Sequence, residues 1–222
     1  MKDDGKFLYC YKMTHDTGFA PNPYHGVLTL ATCKPTIRRC AEKGYWISGW
    51  AAKVVQGKKT EPYEDKAQRL IYLAMVSDKI PIEKYWQKYP QKRQPDETSS
   101  EKGKECYKSC GNSTTSKSDD ASFCGDNIYE PKEGEDLGFK RHENPYHGEA
   151  NKAHDLSGEN VLVCNEFYYF GIENAIDIIN ILGIEDFVVP RCKKISLDKD
   201  VAKIIIGYVE KNYEIGINQK KK

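Results

Sequence analysis

The sequence predicts an α+β fold, a small curved β-sheet or β-barrel with peripheral helices and a long polar insertion. Three observations lead to it. Short runs rich in aromatic and β-branched residues recur at 7–13, 27–32, 45–51, 69–76 and 160–171, each bounded by Gly, Pro, Asn or charged residues. Helical spacing is limited to a few short stretches and one C-terminal segment, so strands and helices do not alternate as a repeating βαβ array requires. Between 91 and 122 large aliphatic residues almost vanish in favour of Lys, Ser, Thr, Asp and Glu.

Each element follows from its residues. FLYCYKM (7–13) has strand-type aromatics, and the turn-rich HDTGFAPNP (15–23) behind it contains Gly18, Pro21 and Pro23, which forbid a regular element. VLTLAT (27–32) reads as a second strand. KPTIRRCAEK (34–43) reads as a short helix with Pro35 in its first turn and Gly44 at its end. YWISGWA (45–51) is the next strand, with Trp46 and Trp50 on one face and Tyr45 on the other. RLIYLAMV (69–76) has strand length, and IPIEKYWQKY (80–89) forms a short helix with an aromatic side. GDNIY (125–129) forms a short strand, followed by a polar loop through His142, His147 and His154 to Asp155. NVLVCNEFYYFG (160–171) restores strand character. In the helix near 198–213, Val201, Ile204, Ile205, Tyr208 and Val209 form one apolar face. No internal repeat stands out, and residues 214–222 read as a frayed tail.

The 222 residues suffice for one domain spanning 1–222, with 91–122 as a mobile insertion within it. No basic leader with an apolar stretch and no long uncharged apolar run is present, so a cytoplasmic protein without a membrane partner is expected. Eight cysteines then read as thiols rather than a disulfide framework. The net charge of +1 conceals an asymmetry: residues 1–95 hold 17 Lys/Arg against 9 Asp/Glu, and residues 96–160 hold 8 against 15. The N-terminal region is the one suited to phosphate. Neither G-x-x-x-x-G-K-[ST] nor G-x-G-x-x-G occurs, which argues against a standard triphosphatase or dinucleotide enzyme, and no cofactor is implied.

Several residues carry chemistry. His15 and Asp16 form an ionisable pair in a Gly/Pro-restricted loop. Cys33, at a strand end, is a candidate nucleophile, and Lys34 and Arg38 offer cations at the start of a short helix. Tyr45, Trp46, Trp50 and the Phe167–Phe170 aromatics supply flat faces, of which one or two would stack on a base for about 1–3 kcal/mol. Cys106, Cys110 and Cys124 with His142 or His147 match a zinc site only loosely, because C-x3-C is not a typical ligand spacing, so no metal is assigned.

Taken in order, HDTGFAPNP (15–23), TLATCKPTIRRCAEKGYWI (29–47), GDNIY (125–129) and HDLSGENVLVCNEFYYFG (154–171) resemble the nucleotide modification associated domain 2 family. The family pattern falls on His15, Asp16, Phe19, Pro21 and Asn22; on Cys33, Lys34, Pro35 and Arg38; on Gly125, Asp126 and Asn127; and on Asp155, Phe167, Tyr169, Phe170 and Gly171. The chain departs from it at Gly44-Tyr45-Trp46-Ile47, where Gly-Asp-Trp-Ile is usual, at Gly49-Trp50-Ala51-Ala52, where Gly-Thr-Gly-Ser is usual, and at Cys164, where serine is usual. The resemblance implies association with DNA base modification and phage-conflict systems. The layout also looks, more loosely, like PUA- and EVE-type barrels that bind modified bases.

Three functional readings follow. The first is a module binding a nucleotide or modified base, free or in DNA, through His15, Asp16, Phe19, Asn22, Lys34, Arg38, Trp46, Asp126, Asn127, Asp155 and Tyr169. The second is an enzyme with His15 and Asp16 as acid–base pair and Cys33 as nucleophile. The third is an interaction module docking through the acidic 96–160 region. The binding reading leads, because no complete catalytic constellation is visible in the sequence.

Overall fold

The strand-forming runs condense into separate sheets. The computed structural model describes residues 7–55, 58–59, 68–93, 125–185, 187–189, 192–196 and 200–218. The chain divides into two compact units. One comprises Met1–Asp16, Ala41–Ser77 and Cys164–Lys222, and the other Thr17–Cys40 and Asp78–Val163.

In the first unit, β1 (Phe7–Met13), β3 (Trp46–Ala51), β6 (Leu70–Met75), β11 (Glu166–Tyr169), β12 (Cys192–Ser196) and β13 (Gly216–Ile217) form a sheet of order β12-β1-β3-β6-β11-β13. β1 is parallel to β3 and β11 to β13; the other neighbours are antiparallel. Helices α4 (Ile178–Ile181) and α5 (Val201–Asn212) place Ile178, Ile179, Ala202, Ile205, Ile206 and Val209 in one core with Trp46, Trp50, Leu73 and Phe170. Each isoleucine or valine buried this way stabilises by about 1.5–3 kcal/mol. The two tryptophans therefore share a face, as strand alternation requires. β4 (Val54–Val55) and β5 (Lys58–Lys59) form a small ribbon.

In the second unit, β2 (Leu28–Leu30), β10 (Asn160–Cys164) and β7 (Asp78–Pro81) form a sheet of order β2-β10-β7, beside a hairpin of β8 (Tyr129–Pro131) and β9 (Phe139–Arg141). Helices α1 (Pro35–Cys40), α2 (Ile82–Lys88) and α3 (Lys152–Leu156) complete it. Its core gathers Phe19, Ile80, Tyr85, Ile128, Tyr129, Val161 and Val163.

The α+β class holds, but none of the described sheets closes into a barrel, because β2 and β7 flank β10 in a sheet of their own instead of extending the six-stranded one. For the same reason the 160–171 run is two strands in two sheets, β10 and β11, parted at Asn165. The apolar face of α5 is rotated by one position: Ala202 and Ile206 are buried and Ile204 is 49% exposed. The polar loop after 129 contains β9 and α3. Residues 91–93 belong to the folded body, since Lys92 is fully buried and Arg93 bridges Asn127, while 94–122 lie outside the described residues. In the tail, Gly216 and Ile217 pair with β11, because Asn218 N–H also bonds Tyr169 O (2.7 Å), and 219–222 lie outside the described residues. Among the described residues no helix is long and apolar enough to cross a membrane.

Candidate functional site

The second unit brings Cys33 against His147 and Asp155, which lie 114 and 122 residues further along the chain. Cys33 follows β2 in a turn where both it and Lys34 take left-handed backbone angles (φ +55° and +40°), a conformation costing non-glycine residues about 1 kcal/mol or more each. Polar clamps hold that turn. The Cys33 N–H donates to Asp155 Oδ1 (2.8 Å), and Arg38 Nε donates to the Cys33 carbonyl (2.9 Å). Arg38 is fully buried, and its remaining donors bond the carbonyls of Ala31, Asn160 and Asp155. Gly158 makes room for it, because a Cβ there would strike the guanidinium. Burial lowers the Arg38 guanidinium to about 10, opposed by the charge of Asp155.

Asp155, on α3, is fully buried and orients an imidazole. Its Oδ2 lies 2.5 Å from His147 Nδ1 and also accepts the Tyr129 hydroxyl (2.8 Å). His147 Nε2 faces Cys33 Sγ at 3.2 Å. The histidine is itself fixed: Asn144 Oδ1 accepts the N–H groups of Tyr146 (2.8 Å) and His147 (3.2 Å), and Arg141 donates to the His147 carbonyl (3.2 Å). Phe19 packs against the imidazole, with ring centroids 5.1 Å apart.

The electrostatics follow from this arrangement. Burial alone would lower the His147 pKa, but the hydrogen bonds to Asp155 and Cys33 outweigh it and raise it to about 9. Burial likewise opposes ionisation of Asp155, yet the hydrogen bond to His147 and the imidazolium charge hold its carboxyl below the ordinary range. The Tyr129 phenol is pushed up by burial and the Asp155 charge, so it remains a donor. At neutral pH the site contains an imidazolium between a carboxylate and a sulfur.

Cys33, His147 and Asp155 also have metal-ligand chemistry, with ligand atoms within 4.8 Å of one another. The geometry fits an ion poorly. One ring nitrogen faces the sulfur and the other faces the carboxylate, so an ion bound through Nε2 and the sulfur would have to replace the contact between them. Both Asp155 oxygens already accept hydrogen bonds.

The other expected site residues fall in several places. In the first unit His15 is exposed, with Nδ1 3.1 Å from the Thr14 hydroxyl, whereas Asp16 accepts the Tyr169 hydroxyl and the Ile172 N–H, each at 2.6 Å. Burial raises the Asp16 pKa, and those two bonds oppose the rise. Tyr169 and Trp46 are buried there. In the second unit Asn22 accepts Lys92 Nζ on its side chain (2.8 Å) and carbonyl (3.0 Å). Buried Asp126 accepts the hydroxyls of Thr29 and Tyr85, both at 2.7 Å. Asn127 donates to the Tyr85 and Tyr89 carbonyls (both 3.1 Å) at the end of α2. Lys34 is half-buried beside Cys33. Cys106, Cys110 and Cys124 lie outside the described residues, and His142 bonds Glu130 (2.8 Å) and stacks on Trp86.

Sequence reasoning singled out Cys33 and, through the family pattern, Asp155; it considered His147 only as a loose zinc partner. A signal was present. Asn-Pro-Tyr-His-Gly occurs twice, at 22–26 and 144–148, which corrects the reading that there is no internal repeat. Both copies share one contact, the Asn side chain accepting the Tyr N–H at 3.3 and 2.8 Å, but their backbones part at the following residues, where His25 and Gly26 take left-handed angles and Gly148 is extended.

Fold and site together define an α+β protein that carries a thiol–imidazole–carboxylate relay. The chain belongs to the family described as nucleotide modification associated domain 2, whose model matches residues 6–115 and 112–212. Neither a curated protein nor a solved structure matches it.

Proposed function

We propose that this protein is an enzyme that modifies a nucleotide or nucleobase through a covalent intermediate on Cys33. The observation that carries the reading is the continuous relay of Cys33 Sγ, His147 Nε2, His147 Nδ1 and Asp155 Oδ2, with steps of 3.2 and 2.5 Å. That is the arrangement of an activated nucleophile, a base and its orienting group. His147 and Asp155 take the acid–base roles that the sequence assigned to His15 and Asp16. Asp155 fixes the ring, the sulfur attacks as thiolate beside the imidazolium, and Nε2–H protonates the atom next to the attacked one. Membership of a family described as nucleotide modification associated supports a nucleotide as the substrate. Recognition of a modified base, in DNA or free, is then the binding step of this reaction, within a system that modifies bases or counters phage.

Peptide-mapped iodoacetamide labelling at neutral pH tests the relay. Cys33 should alkylate at least about tenfold faster than exposed Cys40, and His147→Ala should remove most of that advantage. Equal rates at the two thiols in the unmodified protein would refute the reading.

A further inference from the structure

Thiol attack on an acyl carbon produces an oxyanion that needs preorganised donors, commonly including the nucleophile's own N–H. Here the Cys33 N–H is held by Asp155 Oδ1 at 2.8 Å. Pro35, which opens α1, has no N–H to offer. Neither position then offers a donor to an oxyanion beside Cys33, which favours a substrate able to carry the developing charge away from the attacked bond.

A conjugated ring does this by itself. We infer that the substrate of this site is a pyrimidine ring carried by a nucleotide, attacked by the Cys33 sulfur at C6; the inference rests on the thiol-nucleophile reading above. The S–C6 bond forms as the C5=C6 pair moves through C4 onto the exocyclic oxygen of uracil or N3 of cytosine. The resulting anion takes a proton at C5 from His147 Nε2–H, leaving neutral imidazole. In reverse, the imidazole removes a proton from C5, the C5=C6 bond re-forms and the C6–S bond breaks, restoring thiolate and imidazolium. No oxidant or reductant enters.

The geometry suits this pair of steps. Nε2 lies 3.2 Å from Sγ, so it stands beside the atom bonded to the one under attack. Half-buried Tyr146, with its ring centroid 5.3 Å from that of buried Phe19, offers a supported flat surface next to His147. Other electrophiles can replace the proton at C5, which makes the same anion the branch point for base modification.

The test is exchange of the C5 hydrogen in D2O. The full chain is incubated with dCMP, with dUMP, and separately with a single-stranded oligodeoxynucleotide containing both bases. Loss of the H5 signal is followed by NMR for the mononucleotides and by mass after digestion for the strand. Exchange should exceed the protein-free rate by at least about tenfold, vanish in Cys33→Ala and in protein blocked with iodoacetamide, and persist in Cys40→Ala, whose exposed thiol has no part in the relay. Exchange confined to the strand or to the mononucleotides identifies the source of the ring. No exchange in either arm, with His147-dependent alkylation of Cys33 intact, overturns the pyrimidine inference alone. Loss of the His147 dependence as well overturns the relay reading beneath it.

Discussion

His147 keeps its proton above neutral pH because two hydrogen-bonded partners outweigh its burial, and this couples the site to stability. Its pKa in the fold, about 9, exceeds the ordinary 6.5. Its contribution is therefore complete below about 6.5 and is lost as pH rises through about 9. Asp155 has the opposite sign: its depressed pKa contributes above the ordinary 3.8, and the contribution disappears on acidification. Urea unfolding should show His147→Gln weaker than the unmodified protein near pH 6, with the gap closing towards pH 10; a gap independent of pH would contradict this account. Close packing around Arg38 gives a second expectation. Gly158→Ala should cost about 2 kcal/mol, because the guanidinium is bound to four carbonyls and cannot withdraw without leaving them unpaired. A thermal melt unchanged within a degree or so would exclude that. At this scale Cys33 was legible as a reactive residue type at a strand end. His147 was not, since its partner lies 114 residues away and residue types alone do not reveal such a meeting.

Among the elements, the short turn Pro90–Lys92 holds a loop distant in sequence. Lys92 Nζ, fully buried, donates to the Asn22 carbonyl (3.0 Å), the Asn22 side chain (2.8 Å) and the Val27 carbonyl (2.7 Å). Gly125 passes so close to the Lys92 carbonyl that a Cβ would collide with it. Lys92→Ala should therefore destabilise the protein by roughly 3 kcal/mol and expose residues 17–27 to limited proteolysis, whereas cleavage and stability equal to the parent would show the lysine to be dispensable. Strand positions were readable from aromatic and β-branched runs, since β1, β3 and β6 lie where those runs are. Lys92 was hidden because lysine composition speaks for solvent, and its burial depends on three acceptors supplied by another segment. The division of 160–171 into β10 and β11 was hidden because Asn165 is a single polar residue in an apolar run.

Across the molecule, each unit is assembled from separated stretches of chain, and local patterns do not encode that arrangement. The site nevertheless lies within one unit, and Lys79 Nζ bonds the Arg39 carbonyl at 2.6 Å, so Cys40 and Asp78 can be joined by a short connection. Residues 17–40 linked to 78–163 through a short Gly/Ser segment should fold and keep the His147-dependent alkylation of Cys33. A product without a cooperative thermal transition would show that the unit depends on the remainder of the chain.

The 114-residue separation of Cys33 and His147 also bears on synthesis. Cys33 leaves the ribosome long before His147 and Asp155 exist to engage it. Throughout that interval the growing polypeptide carries an ordinary thiol, and activation coincides with completion of the unit that encloses it. If Cys33 is the nucleophile proposed above, a chain truncated before residue 147 is born inert, with no separate inhibitor needed to keep it silent.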